Sequence, residues 1–81
     1  MKPFSLSVIT KDKILYDKHV VSLVAPAELG YLGVLADHAP LITTLKKGRL
    51  FAREEGGGEL EMAIKDGGFL EVFDNKAKVL L

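Results

Sequence analysis

Apolar and polar residues alternate with a period of two along much of this chain. In Phe4-Ser5-Leu6-Ser7-Val8 the apolar side chains fall on one face and the serines on the other, and residues 59–64 repeat this pattern with two glutamates. Such alternation is typical of a β-strand with one buried face. It predicts burial of the following residues: Leu6, Val8, Leu23, Leu60, Met62, Ile64, Leu70 and Val72.

Three further runs favour strands: residues 20–24, 69–73 and 77–81. The first is β-branched and apolar enough for burial on both faces. Turn-forming residues, among them Gly56-Gly57-Gly58 and Asp74-Asn75-Lys76, separate the runs at intervals of about 8–12 residues, which is the spacing of an all-β sandwich or barrel. No segment has apolar residues at helical spacing between caps, so we expect an all-β fold without a helix.

The length of 81 residues predicts one domain, residues 1–81, with a thin core. A domain of this size buries only about 60% of the surface that its unfolded chain exposes. The chain has no cysteine, so neither a disulfide nor a thiolate metal site adds stability. We expect apolar packing to stabilise the fold, helped by a partner surface.

The charges are balanced and dispersed. Eleven basic and eleven acidic residues cancel, and like charges form no run longer than Lys46-Lys47 or Glu54-Glu55. Nucleic-acid grooves and polybasic membrane patches both need concentrated positive charge, so we expect neither. No apolar stretch approaches the roughly 20 residues that span a bilayer, and Met1-Lys2-Pro3 does not begin a signal peptide. We therefore expect a cytoplasmic protein without direct membrane insertion.

Few residues suggest chemistry. His19 and His38 have no partner at a metal-ligand spacing, and the chain has no paired carboxylates, no Ser/His/Asp set and no Walker sequence. We expect no catalytic site, metal, cofactor or small-molecule substrate, the one enzymatic alternative being a hydrolase site at Asp37 and His38. For His38 itself two interpretations stay open, a histidine held in a turn and a histidine in a protein interface.

The glycines have alternative interpretations. The three glycines at 56–58 suit a hairpin tip, whereas a phosphate loop would need a helix directly afterwards. Gly30 and Gly33 suit backbone bends around a short strand, since a nucleotide-binding fingerprint would need a third glycine and a helix. Gly67-Gly68 suits a turn or bulge where two backbones approach closely.

The segment from Gly30 to Leu45 holds two glycines, a histidine and a proline between two apolar runs, more than a simple hairpin needs. This segment, followed by Lys46, Gly48 and residues 67–72, resembles the amino-terminal β domain of the epsilon subunit of the rotary ATP synthase. The pattern in that family is close to Gly-x-Leu-Gly-Val-Leu-Pro-x-His-Ala-Pro-Leu-Leu-Thr, then Lys-x-Gly, then Gly-Gly-x-Leu-Glu-Val. The resemblance covers about residues 4–81.

The resemblance implies a flattened ten-stranded β-sandwich of two five-stranded sheets. Because the chain stops at Leu81, we expect no carboxy-terminal helical domain. The resemblance further implies a non-catalytic subunit of the central stalk, at the cytoplasmic face of the bacterial plasma membrane, which couples ion-driven rotation to ATP synthesis. Family members continue into two helices that inhibit ATP hydrolysis, and we do not carry that activity over to this chain.

The resemblance also implies two partners, the gamma subunit and the ring of c subunits. The implied gamma contacts lie on one side of the sandwich: Thr10, His38, Ala39, Pro40, Leu41, Ile42 and Thr43. The implied c-ring contacts lie at the other end of the domain: Glu28, Leu29, Gly30, Tyr31 and Leu32. Tyr31 stands where family members often carry an acidic residue, and Ala36 replaces a frequent proline.

The competing hypothesis is a small β-barrel that binds a ligand or nucleic acid, in the manner of an OB-fold. Such a module would expose aromatic residues interleaved with basic ones on one sheet face. In this chain Tyr16, Tyr31 and Phe51 do not coincide with clusters of lysine or arginine.

Overall fold

All the regular structure is β-strand. The computed structural model describes residues 1–81. Its strands are β1 (Phe4–Ile9), β2 (Ile14–Ala27), β3 (Gly30–Val34), β4 (Leu41–Leu45), β5 (Gly48–Glu54), β6 (Glu59–Ile64), β7 (Gly68–Phe73) and β8 (Lys76–Leu80). The chain has no helix of the length and apolarity needed to cross a membrane. The prediction of an all-β fold is confirmed.

The strands form one continuous hydrogen-bonded network around β2. The first half of β2 pairs with β1, and the order continues through β8, β7 and β4. The second half of β2 pairs with β3 on one edge and β5 on the other, and β6 follows β5. The first half of β2 with β1, β8, β7 and β4 forms one layer, and the second half with β3, β5 and β6 forms the other. The implied count of ten strands in two five-stranded sheets is not observed, because β2 runs unbroken through both layers and the network contains eight strands.

A bulge bends β2 from one layer into the other. The pairing of β2 with β5 shifts register between Val20 and Ser22, and an extra residue at such a point bends a strand. Val20 and Val21 are consequently both buried, although neighbouring residues in a regular strand point to opposite faces. The expectation of two-sided burial for residues 20–24 holds at this bulge only, because Val24 is exposed.

The core lies between the layers and is entirely apolar. Six of the eight predicted core residues are buried: Leu6, Val8, Leu23, Ile64, Leu70 and Val72. Leu60 and Met62 are only half-buried and pack against the margin of the core. The prediction of full burial is wrong for these two because β6 is the last strand of its layer, with a neighbour on one side only.

Two adjacent glycines allow close approach of three strands. Gly67 has a φ of 80°, and a Cβ placed there would lie 2.6 Å from the carbonyl oxygen of Leu45. A Cβ on Gly68 would overlap the carbonyl oxygen of Leu80. The prediction of a close backbone approach at Gly67-Gly68 is confirmed.

The turn between β7 and β8 holds two distant segments of the chain in place. Asp74 and Asn75 both have positive φ, 53° and 59°, as a two-residue type I′ hairpin requires. The Asn75 amide donates to the carbonyl of Pro3 at 3.1 Å, and its oxygen accepts from the backbone N–H of Asp37 at 2.8 Å. This side chain therefore holds the amino terminus and the β3–β4 connection against the turn.

Candidate interaction surface

The interior offers no site for chemistry. No polar or charged residue is buried, and no three side chains that could ligate a metal lie together. The three glycines at 56–58 form the hairpin tip between β5 and β6, and Gly33 lies within β3 with no helix after it. The phosphate-loop and nucleotide-fingerprint alternatives are therefore wrong, and the functional features lie on the surface.

The most apolar of the larger surface depressions is a groove between the β2–β3 turn and β4. Its volume is about 560 Å³, and its lining residues are Ala27, Glu28, Leu29, Gly30, Tyr31, Leu32, Leu41, Ile42 and Thr43. Leu29, at the tip of the turn, is fully exposed, and Ile42 is 75% exposed. The carboxylate of Glu28 accepts a 2.8 Å hydrogen bond from the hydroxyl of Thr44, which fixes the turn against β4.

The groove brings the two predicted interfaces together. All five residues expected at the c-ring line it, and so do Leu41, Ile42 and Thr43 from the set expected at gamma. For Leu41, Ile42 and Thr43, the expectation that the two sets lie at opposite ends of the domain is wrong. The physical reason is the pairing of Ala27 with Leu45, which places the β2–β3 turn beside β4.

Tyr31 lies over the outer surface of β2 and β5. It pairs with Pro26, and a Cβ added to Gly48 would lie 3.0 Å from the Pro26 ring and 3.3 Å from the Tyr31 hydroxyl. The absence of a side chain at Gly48 therefore leaves room for the tyrosine. The phenol is 61% exposed and gives the groove a flat aromatic margin.

His38, Ala39 and Pro40 lie outside the groove, in the β3–β4 connection beside Phe73 and Asn75. The His38 Nδ1 atom is 2.7 Å from the carbonyl oxygen of Ala39, to which it donates, and the backbone N–H of His38 bonds to Leu35. Asp37 has a φ of 61° and pairs with Lys2 at the surface. These contacts are those of a histidine held in a turn, and no serine, threonine, cysteine or lysine lines its cavity.

Thr10 lies apart from the other residues expected at gamma. It lines a small cavity with the residues around Lys65 and Gly67. Its hydroxyl accepts from the backbone N–H of Lys13 at 3.3 Å and so closes the β1–β2 turn. Thr10 therefore lines a different depression from residues 38–43.

One polar contact links the two layers and was not predicted. The Tyr16 hydroxyl donates to the Glu54 carboxylate at 2.6 Å, and Lys18 lies 3.5 Å from the same carboxylate. The hydrogen bond from Tyr16, and then the nearby Lys18 charge, hold the pKa of Glu54 below its usual range. Burial, together with the Glu54 contact, raises the pKa of Tyr16. Gly58 leaves space for this carboxylate, since a Cβ there would lie 2.5 Å from Glu54 Oε1.

Known proteins resemble this chain along nearly its whole length. Residues 3–81 match the family described as the ATP synthase, Delta/Epsilon chain, beta-sandwich domain. The ATP synthase epsilon chain of Dichelobacter nodosus is 41% identical over 78 residues, covering 96% of this chain and 54% of that protein. The epsilon chain of Leptospira borgpetersenii is 45% identical over 76 residues, covering 94% of this chain and 58% of that protein. This chain thus spans little more than half the length of these curated relatives.

Solved structures give the same result. A chain in the cryo-EM structure of the Euglena gracilis mitochondrial ATP synthase, with OSCP, F1 and the c-ring, superposes with a TM-score of 0.88 at 26% identity. The alignment covers 96% of this chain and 49% of the Euglena chain. A chain of the Tetrahymena thermophila mitochondrial central stalk and c-ring, at 18% identity and a TM-score of 0.72, shares the fold over 94% of this chain and 60% of its own length.

The family match supports the resemblance seen in the sequence over its two alternatives, the small-ligand or nucleic-acid module and the hydrolase. It agrees with the motif that extends from Gly30 through Val72, and with the β-sandwich that the strands form. The chain belongs to the family of the ATP synthase delta/epsilon chain β-sandwich domain.

Proposed function

We propose that this chain acts as a non-catalytic central-stalk subunit of a rotary ATP synthase. In this role it binds the gamma subunit and the c-ring and helps couple ion-driven rotation to ATP synthesis. It works at the cytoplasmic face of a bacterial plasma membrane, where it reaches the membrane only through the c-ring. It uses no cofactor and binds neither nucleic acid nor a small-molecule substrate.

The groove is the observation that carries the proposal. A thin domain that leaves an apolar groove with a fully exposed leucine at its margin is suited to a protein partner, because exposed apolar clusters mark such contacts. The groove also joins the residues assigned to both partners. A subunit that transmits torque between two partners benefits when both contacts lie on one rigid part of the domain. Here the hydrogen bond between Glu28 and Thr44 connects the two walls of the groove.

Within this proposal, Leu41, Ile42 and Thr43 contact gamma, with His38, Ala39 and Pro40 continuing the surface. Residues 28–32 contact the polar loops of the c-ring. Thr10, which lines a separate depression and whose hydroxyl closes the β1–β2 turn, is the remaining residue assigned to gamma.

Gamma binding by two matched variants tests the proposal. Ile42→Glu places a charge at the groove. Ile14→Glu places the same charge on β2, at the opposite margin of the layer that contains β4. Both side chains are mostly exposed, so both variants should fold. We expect Ile42→Glu to weaken binding to purified gamma by about tenfold or more, which corresponds to about 1.4 kcal/mol, and Ile14→Glu to leave it unchanged. Failure of the unmodified chain to bind gamma would refute the proposal.

A further inference from the structure

We infer that the partner segment bound along β4 is an extended strand that pairs with the open edge of β4. The inference rests on the proposed function, because it specifies how gamma contacts Leu41, Ile42 and Thr43. It differs from a contact between side chains alone in placing backbone hydrogen bonds in the interface.

One edge of β4 is open along most of its length. Its other edge pairs with β7 from Leu41 to Leu45. On the open side β2 reaches β4 only at the pair Ala27 and Leu45 and then turns away into β3. No strand of the domain pairs with the remainder of this edge, although β3 lies across the groove from it.

The direction of one backbone hydrogen bond shows which N–H and C=O groups of β4 face the open edge. The N–H of Lys46 donates to the carbonyl of Pro26 at 2.7 Å, so Lys46 points its backbone groups toward β2. In an antiparallel ladder alternate residues direct these groups to the same side. Thr44 and Ile42 therefore point toward the open edge, while Thr43 pairs with β7.

Between Pro40, which directly precedes β4, and the Glu28 to Thr44 bond near its other end, this edge carries no protection. Proteins usually guard free edges with charges, proline, a bulge or covering chain. Residues 41–45 include no charge and no proline, and their pairing with β7 has no register shift. The free edge of β6 differs, since it carries Glu59 and Glu61. The contrast indicates that β6 is protected against pairing and that β4 is available for it.

The groove beside the edge defines the chemistry of the incoming strand. Glu28 is the only ionisable acid or base in the lining apart from the Tyr31 phenol, and its carboxylate already accepts from Thr44. The walls otherwise present leucine and isoleucine side chains. A strand with apolar or small neutral side chains toward the groove fits this surface, and five residues of it would span about 17 Å.

Proline at position 42 tests for backbone pairing. Because the N–H of Ile42 faces outward, Ile42→Pro removes a donor from the open edge and leaves the ladder with β7 intact, a placement that strand edges tolerate. Ile42→Ala shortens the same side chain but keeps the N–H. With purified gamma we expect Ile42→Pro to lose about tenfold or more in affinity and Ile42→Ala to lose no more than about threefold. Thermal unfolding of both variants checks the fold.

Hydrogen exchange gives a second measurement that needs no substitution. The amide of Ile42 should exchange freely in the isolated chain and become protected in the complex with gamma. Equal binding by Ile42→Pro and the unmodified chain, or an unprotected Ile42 amide in a complex that does form, would exclude strand addition and leave the proposed function standing. Protection confined to β3, the other uncharged edge beside the groove, would also overturn the inference. If the unmodified chain and gamma form no complex, it is the proposed function that fails.

Discussion

The hydroxyl of Tyr16 donates a 2.6 Å hydrogen bond to the carboxylate of Glu54, 38 residues further along the chain. Tyr16 lies in the first half of β2, and Glu54 is the last residue of β5. The bond therefore spans the bend at which β2 passes from one layer to the other. It stabilises the position of one layer relative to the other rather than either layer alone.

This contact predicts how stability depends on acid pH. The folded chain holds the pKa of Glu54 below 4.5, so between the folded and the unfolded pKa the unfolded chain binds more protons. The stabilisation is complete above pH 4.5 and is lost as the pH falls through the folded pKa. We expect Tyr16→Phe to unfold more easily than the native chain at pH 7, with the difference shrinking in acid. Urea unfolding from pH 7 to pH 3 measures both.

Glu54→Gln serves as the control for this pH dependence. The amide keeps an acceptor for the Tyr16 hydroxyl but does not titrate, so the acid-sensitive part of stability should become smaller. A gap between native chain and Tyr16→Phe that stays constant down to pH 3 would contradict the assignment of the effect to Glu54.

The two glycines before β7 give a prediction on stability. An alanine Cβ at position 68 would overlap the Leu80 carbonyl oxygen, and both backbones belong to paired strands that cannot move freely. We expect Gly68→Ala to lower the free energy of unfolding by about 1–3 kcal/mol. Gly33→Ala is the matched control, since a Cβ there has nothing within 4 Å, and it should change stability by less than about 0.5 kcal/mol. Equal melting temperatures for the two variants would contradict the close approach at Gly68.

Burial separates two leucines that the alternation pattern treats alike. Leu70 is completely buried, whereas Leu60 is half-buried on β6. Leu70→Ala should cost about 2–5 kcal/mol because it leaves a cavity in a small core. Leu60→Ala should cost clearly less, because solvent can reach the vacated space. Chemical denaturation of both variants tests the difference, and a cost for Leu60→Ala equal to that for Leu70→Ala would show that β6 is not an edge.

The sequence predicted those parts of the fold that depend on local order. Alternation identified the inward residues of β1 and β7, and residue type predicted a turn at Asp74 and Asn75, whose positive φ values the structure adds. Alternation cannot reveal where a strand lies in its sheet, so the partial exposure of Leu60 and Met62 was not predictable. Residues 14–19 of β2 were missed because three consecutive apolar residues, Ile14 to Tyr16, precede three polar ones, Asp17 to His19, so the segment has no period of two.

The candidate site was predictable only as two separate segments. The pattern around Gly30 and His38 identified the family, and residues 28–32 and 41–43 were both selected. Their meeting in one groove depends on the pairing of Ala27 with Leu45. This pairing joins residues 18 positions apart, and neither segment contains a pattern that predicts it. The contacts of Asn75 with Pro3 and Asp37 are likewise non-local and carry no sequence signal.

Tyr31 gives a prediction on the c-ring contact, which belongs to the proposed function. Its phenol is largely exposed and its ring lies over Pro26 beside Gly48, so it offers rigid contact area with one polar group. Salt screens contacts between exposed charges but weakens this type of contact far less. We expect binding of this chain, in complex with gamma, to isolated c-ring to vary little from about 0.05 M to about 0.5 M salt, where the Debye length falls from roughly 14 Å to roughly 4 Å.

Two substitutions at this position distinguish an aromatic contact from an ionic one. Tyr31→Ala removes the ring and should weaken c-ring binding by about tenfold, since truncating an anchoring tyrosine typically costs more than about 1 kcal/mol. Tyr31→Glu supplies the acidic residue that family members often carry, and it should make the affinity depend on salt, because a charge now contributes to the contact. Thermal melts confirm that both variants fold. If Tyr31→Ala binds the c-ring as tightly as the native chain at every salt concentration, the ring of Tyr31 has no part in the contact. The other residues proposed at the c-ring, Glu28, Leu29, Gly30 and Leu32, must then carry it.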